Sequence, residues 1–418
     1  MNTASPASFA SKAPPEIVRL RSAAAVRERC NMVARWVADG RSRYFTVDEN
    51  RLDAVADYVA EVTRESYPDL DIPYHSRWRH FCAGGFDRWK ELMDSARVHP
   101  LERARMAVDL VTVSVLLDAG AGDSWRYREA RGGNDFSRSE GLAVASLDMF
   151  RAGAFSSDSN RMQRVDDAAL ARIDAATLAR HFQVDAGNAL IGIEARSNLL
   201  RRLGAAMSER PDLFGCKPAR PGNLIDHLVN AARSGGISAA GVLALLLDAL
   251  APIWPSALTL DGLPVGDAGR HNAVRTHDGT DGIVPFHKLS QWLTYSLIEP
   301  LAWAGIEVER INELTALPEY RNGGLLVDLG AIGLRPGIEA RAPHAVQSEL
   351  VVEWRALTVV LMDRLLDAVR GKLGLSSSFT LPQMLQGGTW SAGRKIARAL
   401  RPPNGPSPIL VAADGTVF

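Results

Sequence analysis

The chain has 418 residues and balances its basic and acidic residues, with 48 Lys plus Arg against 48 Asp plus Glu. A balanced charge gives no overall field that would attract a polyanion, so the composition argues against a nucleic-acid binder or a protein held on an anionic membrane. Cys30, Cys82 and Cys216 lie far apart in the sequence. This argues against a disulfide framework or a zinc ribbon, and favours a reducing cytoplasm.

Helical periodicity dominates the first half of the chain. Residues 1–15 are rich in Ala, Ser and Pro, and predict a disordered tail rather than a signal peptide. Beyond them, apolar residues recur at three- and four-residue spacing. This pattern predicts helices over 17–38, 47–65, 100–119, 139–152, 167–181 and 188–207. The apolar stretch up to Trp254 is interrupted by Asp248 and Pro252, so it predicts a buried helix and not a membrane span.

The second half continues as helices separated by polar segments, where binding groups tend to collect. These segments are 260–282, 316–324 and 334–344. Two prolines that follow residue 401 end the last helix and leave 402–418 as a short tail. The sequence predicts a mainly α fold, with one catalytic unit over 16–401. That unit is either a single compact body or two tightly packed lobes, about 16–230 and 231–401.

Basic and aromatic residues crowd one short segment, which contains His75, Arg77, Trp78, Arg79 and His80. Because arginine offers a planar fork of donors, the segment suits a phosphate or a hydroxyl-rich ligand. The alternative is a partly solvated helix start with a buried Trp78. His75 and His80 are five apart and do not share a helical face, so a metal site is not predicted there.

Two further segments present polar groups at helical spacing. Lys288, Gln291 and Tyr295 are three and four residues apart, so one helical face can offer an ammonium, an amide and a phenol; the alternative is an ordinary exposed face. In the second segment, Pro318 and two glycines enclose four consecutive polar residues of catalytic type on a constrained turn. These four are Glu319, Tyr320, Arg321 and Asn322. A surface Glu–Arg pair at a turn is the alternative.

Metal chemistry finds little support in the sequence. Glu349 and Glu353 are one helical turn apart, so an Arg or Lys from elsewhere is expected between them. The remaining candidates match no known ligand spacing: His271, His277, Asp278, Asp281 and His287. No glycine-rich nucleotide loop, GxSxG or HExxH motif occurs, which argues against common nucleotide-binding, serine-hydrolase and zincin functions.

Several long strings resemble the fungal and bacterial family that supplies the fourth protein of the URC uracil-catabolism pathway. They occupy 73–81, 138–142, 153–158, 284–295, 317–324 and 352–356. The resemblance covers nearly the whole chain. It implies a protein that consumes ribosylurea or its phosphate after the pyrimidine ring has been opened.

A more distant similarity concerns the queuosine-nucleotide N-glycosidases of queuine salvage. Residues 286–291, 315–321 and 351–356 are similar, in the same order, to a Phe-Tyr-Lys-Arg-Ala-Gln helix, a Thr-x-x-Ala-Asp-Tyr-Arg turn and a Glu-x-Glu-Ile-Arg-Ala helix of that family. Glu319 stands where that family has an aspartate at the glycosidic bond. The similarity implies a helical glycosylase-like architecture and cleavage of an N-glycosidic bond.

We expect Glu319 to stabilise the positive charge that develops on the sugar or to activate water. The leaving urea also needs a proton donor. We expect Glu353, or a histidine of the 75–80 segment, to be that donor. Lys288 is the expected partner of a 5′-phosphate, supported by Arg77, Arg79 or Arg321. Further substrate-binding candidates are His75, His80, Asp261, Asp267, Gln291, Tyr320 and Arg355.

The predicted reaction needs no cofactor and no metal, and its partner is a small ribosyl or ribosyl-phosphate substrate. Hydrolysis and phosphorolysis stay open, as do the phosphorylation state of the substrate and the oligomeric state. One rival is an amidohydrolase that attacks the urea group, which would normally want a metal or an activated nucleophile. The other is a non-catalytic nucleotide carrier or sensor.

Overall fold

A computed structural model describes residues 11, 13–122, 124–233, 236–254 and 258–412. Most of the predicted tail at 1–15, and residues 413–418 of the predicted C-terminal tail, therefore lie outside the described residues. The prediction of a mainly α fold is confirmed. In the described part of the chain, no helix is both long enough and apolar enough to span a bilayer. The division into lobes stays a prediction.

Helices account for most of the ordered structure. Those before residue 210 are α1 (Pro15–Leu20), α2 (Ala23–Ala38), α3 (Leu52–Ser66), α4 (Arg77–Phe81), α5 (Arg88–Ala96), α6 (Pro100–Leu116), α7 (Arg138–Arg151), α8 (Asp167–Leu170), α9 (Ala175–His181) and α10 (Ile193–Ser208). Those after it are α11 (Pro211–Phe214), α12 (Leu224–Ala232), α13 (Ala239–Ala249), α14 (Lys288–Trp303), α15 (Tyr320–Asp328), α16 (Glu349–Leu373), α17 (Leu381–Met384) and α18 (Trp390–Leu400).

The strands are two or three residues long and form two-stranded pairs. The antiparallel pairs are β1 (Phe45–Val47) with β10 (Ile332–Leu334), β2 (Tyr127–Arg128) with β3 (Asp135–Phe136), β5 (Thr259–Leu260) with β6 (Leu263–Pro264), and β7 (Ala268–Arg270) with β8 (Ile283–Pro285). The parallel pairs are β4 (Ile237–Ser238) with β9 (Val308–Glu309), and β11 (His344–Ala345) with β12 (Val411–Ala412).

Capping side chains divide two of the predicted helices. The predicted helix over 17–38 is two helices, because the Ser22 hydroxyl accepts from the amide of Ala25 and starts α2 anew. The predicted helix over 167–181 is likewise divided, because Asp174 accepts from the amide of Thr177 and caps α9. Side-chain acceptors of this kind satisfy the free amides of a helix start. Periodicity alone does not reveal such interruptions.

The two largest apolar clusters of the core border the same cavity. The larger is built around α6 and α14, which pack against each other. The other is built around α16, which packs against α2 and α3 near the start of the chain. Leu289 and Trp292 of the first cluster and Ile409 of the second line the same cavity.

A π-helical turn, Leu385–Thr389, joins α17 to α18. A Cβ at Gly388 would lie 2.5 Å from a methyl carbon of Val59 and 2.6 Å from the Thr63 hydroxyl, so glycine permits close contact with α3. Turns of this kind redirect the helix and are frequent at functional sites. Here the turn aims Gln386 and Trp390 at the cavities described below.

Candidate functional site

A cavity of about 380 Å³ lies where the first turns of α7, α14, α15 and α18 meet. Its volume is that of a small-molecule site. The starts of α7, α14 and α15 carry partial positive charge, which favours anionic ligands, whereas α18 continues the π-helical turn before it. The charged and histidine side chains that line the cavity are His75, His80, Asp118, Arg138, Lys288, Glu319, Arg321 and Arg394.

Glu319 is the N-cap of α15. Its two carboxylate oxygens accept from the backbone amides of Arg321 and Asn322, each at 2.8 Å. Burial raises the pKa of Glu319, while these two bonds and the nearby Lys288 ammonium act in the opposite direction. A carboxylate has about four acceptor positions. The cap therefore fixes the side chain without using up its capacity to meet a ligand.

Lys288, the first residue of α14, lies in the wall of the same cavity. Burial lowers its pKa to about 8, assisted by the charge of Arg355 and opposed by Asp267 and Glu319. Asp267 fixes the start of this helix: it accepts from the Lys288 amide at 3.0 Å and from both terminal nitrogens of Arg355 at 2.8 and 2.7 Å. Asp267 and Arg355, predicted as substrate-binding residues, are thus buried beneath the cavity wall and pair with each other.

Gln291 links α14 to the segment before Glu319. Its amide nitrogen donates to the Thr315 hydroxyl at 2.6 Å, and its amide oxygen accepts from the Thr315 amide at 2.8 Å. The Tyr295 hydroxyl donates to the Thr315 carbonyl at 2.9 Å. Gln291 was predicted to contact substrate, but these bonds direct it away from the cavity lining. Gln291 positions the segment that leads to Glu319.

Aromatic rings form another wall of the cavity. Trp292 stacks on His75 with ring centroids 6.2 Å apart and meets His80 edge-on at 5.7 Å. Trp390 lies 6.1 Å from His75. Burial lowers the pKa of both histidines, and the charge of Arg77 lowers that of His80 further. Both rings are therefore neutral near pH 7, and suit hydrogen bonding better than proton donation.

Arg77 lies behind this wall. It is fully buried and pairs with Asp118 at 3.1 Å. It also donates to the Ser114 hydroxyl at 2.7 Å and to the Ser139 carbonyl at 3.1 Å. These partners make Arg77 a support for Asp118, which does line the cavity, rather than a substrate donor.

Tyr320 and Arg321 line the cavity next to Glu319. The Arg321 guanidinium lies 4.7 Å from the Tyr320 ring centre and donates to the Gly405 carbonyl at 3.1 Å. Residues 405–407 and 409–411 follow the last helix and also line the cavity. The predicted C-terminal tail therefore supplies part of the wall, a contribution that its composition does not reveal.

Three further residues predicted from the sequence also lie outside the cavity. Glu353, the predicted proton donor, accepts from the Ser42 hydroxyl and lies 2.9 Å from His271 Nε2; both of its oxygens are engaged outside the cavity lining. Asp261 is exposed at the turn between β5 and β6. Arg79 pairs with Glu299 and lines a neighbouring basin.

Sequence reasoning did not select several residues that line the cavity: Asp118, Arg138, Trp292, Trp390 and Arg394. Two local signals point to some of them. Asp118 lies two residues after the end of the apolar helix α6 and is followed by the small residues 119–122, which allow close approach of a ligand to the backbone. Trp390 and Arg394 are four residues apart after two glycines, and the guanidinium stacks 4.0 Å from the indole ring centre.

A carboxylate, an ammonium of lowered pKa, neutral imidazoles and indole rings thus share one partly enclosed space. Groups whose pKa values are displaced in this way are typical of catalytic sites. The fold and the cavity define a mainly α protein with a cavity of the size that small-molecule sites have.

Residues 19–418 match the family described as "Protein of unknown function (DUF1688)", and the chain belongs to this family. Protein urg3 of Schizosaccharomyces pombe is 39% identical over 412 residues, covering 96% of this chain and 99% of that protein. Uracil catabolism protein 4 of Lachancea kluyveri is 37% identical over 432 residues, with 95% and 98% covered. The resemblance to the URC family inferred from the sequence is confirmed.

Proposed function

We propose that this protein acts in uracil catabolism as an N-glycosidase that cleaves ribosylurea, or its 5′-phosphate, to urea and ribose or ribose 5-phosphate. The name of the relative from Lachancea kluyveri supports the pathway. The observation that carries the reaction type is that Glu319 and Lys288, a carboxylate and an ammonium, line the same partly enclosed cavity and lie near enough to influence each other's pKa.

Glu319 is the proposed catalytic carboxylate. As the bond between C1′ and nitrogen breaks, its electron pair leaves with urea and positive charge develops on the sugar. A carboxylate about 4 Å away, at an effective dielectric constant of roughly 20, stabilises that charge by about 4 kcal/mol. This corresponds to nearly a thousandfold in rate if the interaction is gained only in the transition state. Water then adds to C1′ and passes a proton to the Glu319 carboxylate, which releases it to solvent.

Lys288 is the proposed proton donor to urea, which is a poor leaving group as an anion. A general acid works best when its pKa lies near the working pH, and the pKa of Lys288 is about 8. Lys288 is thus mostly protonated near neutrality and releases its proton more readily than an ordinary lysine. Neutral His75 and His80 can hydrogen-bond to the urea or ribose hydroxyls, and the Trp292 ring can cover the apolar face of the sugar.

Product analysis tests the reaction type. Purified, chelator-treated protein is incubated with ribosylurea and with ribosylurea 5′-phosphate, and urea, ammonia and the sugar are measured. Release of urea with free ribose or ribose 5-phosphate is the expected result. Ammonia in place of urea would identify an amidohydrolase instead. Tight binding without a product would identify a carrier or sensor.

A further inference from the structure

A second, more open basin of about 740 Å³ adjoins the cavity. The two share His75, His80, Arg138, Trp390 and Arg394 as lining residues. Because these side chains face both spaces, a ligand whose sugar lies beside Glu319 can extend past them into the basin.

The basin is basic although the whole chain has no net charge. Among the described residues, five arginines and two carboxylates line it. The arginines are Arg79, Arg126, Arg138, Arg394 and Arg398. A local excess of arginine in a concave site focuses positive potential and attracts anions.

Arg394 is held in place for recognition. Its guanidinium stacks on Trp390 with a separation of 4.0 Å and donates from Nη2 to Glu140 at 3.0 Å. Within the described ranges, its buried Nε has no hydrogen-bond partner. A stacked guanidinium is pre-ordered, and its remaining donors match the geometry of a phosphate.

Arg138 lines the same shared wall as Arg394, lies at the first turn of the 14-residue helix α7, and donates to the Asn404 carbonyl at 3.5 Å. Its backbone has φ of 52°, a left-handed conformation that non-glycine residues seldom adopt. Ser137, the N-cap, makes no side-chain capping bond within the described chain. The amides of this helix start therefore add to the anion-binding character that the arginines give to the wall.

We propose that this shared wall is a phosphate subsite, in which Arg138 and Arg394 bind the 5′-phosphate of the ribosyl substrate. The inference rests on the proposed function for the identity of the sugar. It assigns the phosphate to these arginines in place of Lys288. The natural substrate is then the phosphorylated form, and Lys288 stays available to act beside Glu319.

Equilibrium binding tests the subsite without requiring turnover. Calorimetry compares ribose 5-phosphate, ribose and inorganic phosphate on wild type, Arg138→Gln, Arg394→Gln and Arg394→Lys. The control is Arg364→Gln, which removes an exposed arginine paired with Glu49. We expect wild type to bind ribose 5-phosphate at least about tenfold more tightly than ribose or inorganic phosphate. Each Gln variant should lose about tenfold or more of that affinity, with a smaller loss in Arg394→Lys and none in the control.

Equal affinity for ribose and ribose 5-phosphate, or no change in Arg138→Gln and Arg394→Gln, would overturn the subsite. Inorganic phosphate binding as tightly as ribose 5-phosphate would overturn the assignment to a sugar phosphate. If no urea is released but the binding pattern holds, the glycosidase proposal fails and the subsite stands. If urea is released but the variants bind ribose 5-phosphate as tightly as wild type does, the glycosidase proposal stands and the subsite fails.

Discussion

At the residue scale, the burial of Lys288 costs folding free energy. Lys288 is 8% exposed, and its pKa in the folded protein, about 8, lies below the ordinary 10.5. The folded state therefore disfavours the charged form. This cost is fully present below pH 8 and declines as the pH rises through 8 towards 10.5. A cost of this kind is expected where a group is retained for function.

Replacement of Lys288 by methionine should make the protein more stable and inactive. We expect a gain of about 1–3 kcal/mol in the free energy of unfolding at neutral pH, because a buried charge is removed. The gain should shrink above pH 8. Guanidinium denaturation near neutral and near alkaline pH measures it. Lys90→Met, at an exposed ion pair with Asp94, is the control; a destabilised Lys288→Met protein would contradict the assignment.

The pH dependence of the rate should report the ionisation of Lys288 and Glu319. Lys288 must be protonated to act as an acid, so kcat/KM should fall as the pH rises through about 8. Glu319 must be ionised, and since burial raises its pKa, the acid limb should lie above the range of an ordinary glutamate. A profile measured with ribosylurea 5′-phosphate gives both limbs. A basic limb that persists unchanged in Lys288→Arg would contradict the role of Lys288.

At the element scale, spacing places side chains on a helix but does not tell which neighbour covers each face. Lys288 and Gln291 are three residues apart, and both were predicted to meet substrate. In the structure α14 is buried on nearly all sides. Of its residues only Lys288, Leu289 and Trp292 line the cavity, while Gln291 contacts Thr315. Glu349 and Glu353 likewise diverge: Glu349 pairs with Arg43 at 3.4 Å and accepts from Asn272 at 2.8 Å. Glu353 instead lies against His271, so the arginine predicted between the two glutamates pairs with only one of them.

The link between α14 and the segment before Glu319 can be tested by graded substitutions. Gln291→Leu removes every bond to Thr315 from that side chain and leaves a buried amide unsatisfied, at a cost of about 1–3 kcal/mol. It should also lower kcat by about tenfold or more, because Glu319 loses its fixed position. Tyr295→Phe removes one bond to the Thr315 carbonyl and should cost about 0.5–1.5 kcal/mol. A wild-type kcat in Gln291→Leu would contradict this link.

At the scale of the whole molecule, the cavity joins distant parts of the chain. Local pattern and family resemblance identified Glu319, Lys288, His75 and His80, because their neighbours form unusual strings. Asp118 and Trp390 come from opposite parts of the sequence, and only packing brings them together. Patterns within a short segment carry no information on such contacts. For the same reason, the sequence predicted the helical class but not the wall formed by residues 405–411.

Removal of residues 404–418 should open the cavity. Ile409 is fully buried in the core around α16, and losing the apolar area that it buries costs about 1.5–3 kcal/mol. We expect a folded protein with a lower melting temperature and little activity, since Arg321 also loses its partner at Gly405. Deletion of 413–418 alone, which keeps the lining residues, is the control. Full activity in the longer deletion would show that this wall is dispensable.

The most direct test of the central claim is the rate of urea release by Glu319→Gln. Asp87→Asn is the matched control, because Asp87 caps the nine-residue α5 as Glu319 caps the nine-residue α15; both changes turn a capping carboxylate into an amide. We expect Glu319→Gln to retain its fold and lose about 10²- to 10³-fold in kcat, with Asp87→Asn close to wild type. A Glu319→Gln protein that releases urea at the wild-type rate would contradict the account.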